Sequence, residues 1–161
     1  MKLYIKQKVF SIGERFYVRN EDGIDVFYVE GSFLRIPKEF RIYDMSGNLL
    51  ATIEKQMFRL LSRYDIQTEH EFVTLKRHFT FLFNRFSLEG LDWELEGNFT
   101  SHEYQLIKGE RPIMSLTKHW FTWGDSYELN IEHPEDALLC LCIVIAVDAA
   151  VANDGNNAQA A

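Results

Sequence analysis

The run Pro134-Glu-Asp-Ala-Leu-Leu-Cys-Leu-Cys-Ile-Val-Ile-Ala-Val-Asp148 decides the fold. Pro134 suits the first position of a helix, where its missing N–H costs nothing. Glu135 and Asp136 follow where the helix dipole favours negative charge. From Ala137 to Val147 come eleven apolar residues with no polar stripe. A helix apolar on every side must be surrounded by protein or lipid. Counted through Asp148 to Ala152 the stretch reaches sixteen residues, short of the roughly 20 a membrane span needs. No Lys or Arg flanks it. The expectation is a buried helix rather than a membrane anchor. Asn153-Asp154-Gly155 reads as its stop, and residues 153–161 as a short frayed tail.

Working back from this helix, the chain reads as short strands divided by turn signals. Met1 to Phe10 alternates: Leu3, Ile5 and Val9 point one way, and Lys2, Tyr4, Lys6 and Lys8 the other. Further runs are Arg15–Asn20, Asp25–Phe33, Phe40–Met45, a long Leu49–Leu60, Arg63–Glu69 and Phe72–Phe79. After them come Leu91–Glu96, Glu103–Lys108, Ile113–His119 and Ser126–Glu132. The stretch Phe79 to Phe86 fits a buried strand or a short helix equally, because periodicity cannot arbitrate at that length. Turns every 8–12 residues or so indicate an all-β sandwich or barrel. The 13 Phe and 7 Tyr suit a pleated, half-buried surface. In such a chain, an all-apolar helix is most simply covered by running through the middle of a barrel. The 161 residues are enough for one domain and short for two.

Several pieces in order carry a resemblance: Phe27-Tyr-Val-Glu-Gly31, Phe40-Arg-Ile-Tyr-Asp44, Gly47-Asn-Leu-Leu-Ala-Thr-Ile53, Trp93-Glu-Leu-Glu-Gly97 and Phe121-Thr-Trp-Gly-Asp-Ser-Tyr127. Ile131, Pro134-Glu-Asp136 and the apolar helix with Asp148 complete the set. This order resembles the LURP-one-related (YxjI-type) family of the tubby C-terminal-like superfamily, over about residues 2–150. The resemblance implies a mainly β, tubby-like closed antiparallel barrel of about twelve strands around a central hydrophobic C-terminal helix, a single domain over residues 1–152. It implies no established activity for this family. Tubby domains bind phosphoinositides through basic residues, but no such motif matches here residue by residue.

Net charge is −7, unevenly placed. No Lys or Arg follows Lys118, while seven acids do, and the first 19 residues sum to +4. An acidic chain is a poor general nucleic-acid binder, since that affinity rests on neutralising phosphates. No apolar run follows the N-terminal lysines, so no secretory signal is read, and two Cys make no disulfide framework. A cytoplasmic monomer is expected.

The usual catalytic motifs are missing: no G-x-S-x-G, no Walker A loop and no G-x-G-x-x-G. His70-Glu71 and His102-Glu103 begin like a zinc motif, but their fifth residues are Thr74 and Leu106. The five His are scattered. Cys140 and Cys142 lie about 200° apart around a helix and cannot bridge. Trp123-Gly124-Asp125 reads as a hairpin turn. Asp148 interrupts the apolar helix, so it sits at a barrel mouth or accepts hydrogen bonds from the wall. No catalytic residue, metal or cofactor is expected. The candidate site is a basic outer face for an anionic phospholipid or phosphoinositide: Lys2, Lys6, Lys8, Arg15 and Arg19. Lys76-Arg77-His78 with Arg59 and Arg63 forms a second basic candidate. A protein-binding scaffold is the alternative, with an unidentified protein as partner. A small-ligand carrier or enzyme comes last, because the helix fills the barrel.

Overall fold

The computed structural model describes residues 1–6, 15–32, 36–78, 80, 85–121 and 124–159. Twelve strands form one antiparallel sheet: β1 (Lys2–Lys6), β2 (Arg15–Arg19), β3 (Asp25–Ser32), β4 (Glu39–Tyr43), β5 (Leu49–Lys55), β6 (Arg63–Thr68), β7 (Phe72–His78), β8 (Arg85–Glu89), β9 (Glu94–Asn98), β10 (Glu103–Lys108), β11 (Arg111–Phe121) and β12 (Gly124–Ile131). One 3-10 turn, Pro134–Asp136, leads into helix α1 (Ala137–Gln159). The strand order is β8-β7-β6-β5-β4-β3-β2-β1-β12-β11-β10-β9. β1 lies beside β12, with Lys2 opposite Asn130. The sheet curls into a nearly closed barrel whose two edges, β8 and β9, do not pair with each other.

Alternation builds the wall. Leu3 and Ile5 in β1, Phe16 and Val18 in β2, Ile42 in β4 and Ile53 in β5 all point inward and are buried. Tyr64, Ile66, Leu75, Leu106, Leu116 and Leu129 continue the lining. α1 meets them with every side of its first turns: Leu139 to Val147 is buried throughout. The absence of a polar stripe therefore has its physical counterpart in a wall on all sides. Each large aliphatic side chain buried this way contributes roughly 2 kcal/mol.

Two turns show how local chemistry sets the register. In the β4–β5 turn, the Asp44 carboxylate accepts from the backbone N–H of Ser46 and Asn48 at 2.9 and 2.8 Å. Gly47 there takes φ +87°. At Gly97, φ is +132° and a Cβ would stand 2.5 Å from the Glu103 carbonyl oxygen, so only glycine fits against β10.

Several boundaries differ from the sequence reading. The run read as Leu49–Leu60 stops at Lys55, because Gln56-Met-Phe-Arg-Leu-Leu no longer alternates and Gln56 N–H turns back to the Arg63 carbonyl at 2.9 Å. Strand β8 emerges from the ambiguous stretch: Arg85 and Phe86 are extended, while residues 79 and 81–84 lie outside the described residues. The first strand is described only to Lys6, and the reading for 7–10 falls outside. Trp123, read as part of a hairpin turn, also lies outside the described residues. The Asn153-Asp154-Gly155 stop is overridden: the backbone stays helical through Gln159. Extending an already packed helix needs no new nucleus, so weak stop residues do not end it. Among the described residues no helix is long and apolar enough to cross a membrane.

Candidate functional site

The strand order gives the barrel two unlike ends. β1 runs from the lower end to the upper end, and the connections alternate thereafter. The lower connections are 20–24, 44–48, 69–71, 90–93 and 109–110, with the lead into α1 at 132–136. Together they hold ten carboxylates and neither Lys nor Arg. The described upper connections, 36–38, 56–62 and 99–102, hold Lys38 and Arg59 and no carboxylate. Lys6, Arg15, Lys55, Arg63, Arg77 and Arg85 stand at the strand ends beside them. Carboxylates near this rim are mostly engaged: Glu30 by Arg15 at 3.1 Å, Glu39 by Arg41 at 2.7 Å, and Asp65 by Gln56 and Thr74. Glu54 is exposed.

The expected basic face is split by this geometry. Tyr4 faces Arg19 across the β1–β2 pair, so Lys2 and Arg19 lie toward the lower end and Lys6 and Arg15 toward the upper. Lys2 to Lys6 spans about 13 Å of strand, beyond the screening length of about 8 Å at physiological salt. Lys2 Nζ lies 3.0 Å from the Glu128 carboxylate, and that bond raises its pKa. Arg19 meets Asp25 at 2.8 Å. Lys6 is exposed, and Lys8 lies outside the described residues. In the second basic candidate, Lys76 bonds Glu89, and His78 Nε2 stands 2.6 Å from Ser87 Oγ. Arg77 is half-buried, which lowers its pKa. Arg59 lies within the β5–β6 connection, and Arg63 opens β6 at its end.

That connection is the most unusual part of the surface. Phe58 is 99% exposed and Leu60 101%, with Met57 also exposed. Phe58 holds φ +56°, a left-handed conformation costing about 1 kcal/mol or more for a non-glycine residue. The loop is tied down at its base. The Gln56 side-chain amide donates to Asp65 at 2.9 Å and accepts from Arg59 Nε at 3.0 Å. The Ser62 carbonyl accepts the Arg77 N–H at 3.1 Å. The next upper connection lies alongside, Lys55 N–H donating to the Lys38 carbonyl at 2.9 Å, and carries Ile36, 82% exposed. The alternation reading missed this finger by treating it as strand. The available signal was Arg59, which interrupts an apolar run where a strand residue would have faced the core.

Beneath the upper end lies a polar cluster. Asp148, 8% exposed on α1, accepts from His102 Nε2 at 2.7 Å. Asn98 positions that histidine: its side-chain oxygen accepts the Thr100 and Ser101 N–H groups, and His102 emerges at φ +59°. The imidazole stacks on Tyr127 at 4.6 Å. Burial raises the Asp148 pKa, opposed by His102 and Lys38. Burial lowers the Lys38 pKa, opposed by Asp148. Burial also drives the Tyr104 phenol well above its usual value, and among the described residues its hydroxyl has no hydrogen-bond partner. Asp148 thus combines the two options read for it, lying beneath the upper mouth and bonded to a residue of the 99–102 connection there. The cluster offers an imidazole–carboxylate pair. Among the described residues no three His, Cys, Asp or Glu side chains converge for a metal. A cleft of about 720 Å³ marks the β8–β9 seam, lined by Arg85, Ser87, Trp93 and Glu94 among others.

The sequence pattern of the LURP-one-related family matches residues 1–148. The chain belongs to that family. Among curated proteins, this LURP-one-related chain is 37% identical over 155 residues to the uncharacterized protein YxjI of Bacillus subtilis strain 168, covering 96% of each. Among solved structures it is similar to the X-ray structure of an Arabidopsis thaliana protein, with TM-score 0.62 and 15% identity over 92% of this chain and 90% of the other. That second likeness concerns the fold alone.

Proposed function

We propose that this LURP-one-related domain is a non-enzymatic module that docks on anionic phospholipid at a membrane surface. The observation carrying the reading is the segregation of charge between the barrel ends. Ten carboxylates occupy the lower connections, and the described upper connections hold Lys38 and Arg59 and no carboxylate. A body of net charge −7 is repelled by an anionic surface in most orientations, and the upper end is the approach that removes this repulsion. Of the basic residues on β1 and β2, Lys6 and Arg15 belong to this end, and Lys2 and Arg19 do not. α1 occupies the space a substrate inside the barrel would need, which favours binding over catalysis. A cytoplasmic location fits, because the cytoplasmic leaflet carries the anionic lipids.

Each Lys or Arg near such a surface contributes about 1 kcal/mol, so the association is weak and salt-sensitive. Sedimentation with phosphatidylcholine vesicles, with and without phosphatidylserine or a phosphoinositide, tests it. Binding to the anionic vesicles at low salt and its loss on raising salt is expected. Equal binding to neutral vesicles, or none to either, overturns the reading. The unpaired edges of β8 and β9 favour a second reading, a protein partner adding a strand at the seam.

A further inference from the structure

We propose that the β5–β6 connection, Met57–Leu61, is a membrane-insertion finger: Phe58 and Leu60 enter the acyl boundary while Lys55, Arg59 and Arg63 meet lipid phosphates. This rests on the docking function above and specifies how the upper end engages.

A loop free to relax would fold a phenylalanine and a leucine back onto the barrel, since exposed apolar area is unfavourable in water. Here both side chains stand fully in solvent, and Phe58 does so from a left-handed backbone. The base prevents collapse. The Gln56–Arg63 backbone bond, the Gln56 side-chain clamp on Asp65 and Arg59, and the Ser62–Arg77 bond fix the loop from three sides. An unfavourable conformation that displays apolar side chains, held by that many contacts, points to something outside the barrel receiving them. Charge decides what. Arg59 lies between the two apolar tips, and Lys55 and Arg63 stand at the loop's two feet. Apolar tips in a basic ring match the layering of an anionic bilayer, with phosphates outside and hydrocarbon beneath. Exposed Ile36, on the next upper connection, adds an apolar side chain to the same end. The carboxylate-rich end is then held a barrel's length from the lipid.

The two components separate experimentally. Insertion is insensitive to salt, and the headgroup contacts are not. The double variant Phe58→Ser, Leu60→Ser should keep the wild-type melting temperature and bind phosphatidylserine vesicles about tenfold or more weakly at every salt concentration. Arg59→Ala should instead flatten the salt dependence. For location, an environment-sensitive dye on Phe58→Cys should shift to the blue on vesicles and be quenched by acyl-chain spin labels. The same dye on Met45→Cys, at the lower end, should do neither. If wild type binds but the double variant binds equally well and the dye at 58 stays in water, the finger is wrong and the docking function survives. If wild type binds no anionic vesicle, the docking function and the finger fall together.

Discussion

Two apolar segments of this chain meet opposite fates. In α1, Leu141 and Ile143 are completely buried. In the β5–β6 connection, Phe58 and Leu60 are completely exposed. Hydrophobicity is similar; surroundings are not. α1 is apolar all round and has a wall to match, so its side chains hold the barrel together. The finger has two apolar tips separated by an arginine and no wall, so its apolar side chains add nothing to the fold. Burial identifies residues that serve the structure, and unexplained exposure identifies residues available for something else.

The largest effect expected from this contrast is Ile143→Asp. It places a charge among fully buried neighbours and should cost about 4 kcal/mol or more, enough to abolish soluble expression. Normal yield and melting of that variant would break the comparison at its strongest point. Next come the thiols. Cys140 and Cys142 are free and buried, and burial pushes both pKa values well above the ordinary thiol. Ellman's reagent should titrate neither quickly in native buffer and both at once in denaturant. Fast native labelling would mean that α1 is not enclosed.

A smaller effect is expected at Asp148. Its carboxyl is raised by burial, so the folded state holds the proton at pH values where the unfolded chain has released it. Stability contributed by that group therefore falls as pH rises from the ordinary carboxylate range into the raised one. The stability difference, wild type minus Asp148→Asn, should decline across that interval in urea melts at stepped pH. A difference that grows with pH would mean that the His102 bond outweighs burial. The smallest effect is Phe58→Gly. The side chain makes no burial contribution, and glycine accepts φ +56° without strain, so stability should hold or rise by up to about 1 kcal/mol in the same melts. A marked loss would show that Phe58 supports the fold after all.

How much of this could be read from sequence varied with how local the deciding physics is. α1 was legible because eleven apolar residues without a polar stripe admit only an enclosed helix. The inward set of β1, Leu3 and Ile5, followed from alternation alone. β8 was hidden, because the apolar stretch before it carries no period that separates strand from helix. The His102–Asp148 bond joins residues 46 positions apart, so no local pattern announces it. Each had been noticed singly, and only the topology brings them together. The basic face fared similarly. Lys2, Arg15 and Arg19 look alike in sequence, but their cross-strand neighbours Glu128, Glu30 and Asp25 and their position along the barrel are properties of pairing.

The position of α1 after the last strand sets an order of events during synthesis. All twelve strands leave the ribosome before the segment that fills them. Until it follows, the inward faces of Leu3, Ile42 and Leu129 have nothing to pack against. Securing β1 to β12 also means closing a loop from Lys2 to Asn130, a non-local contact of the kind that slows folding. A nascent chain in that state presents long apolar strand faces to its surroundings, the condition that engages chaperones. β1 must wait for α1, and the barrel can be completed only after both are present.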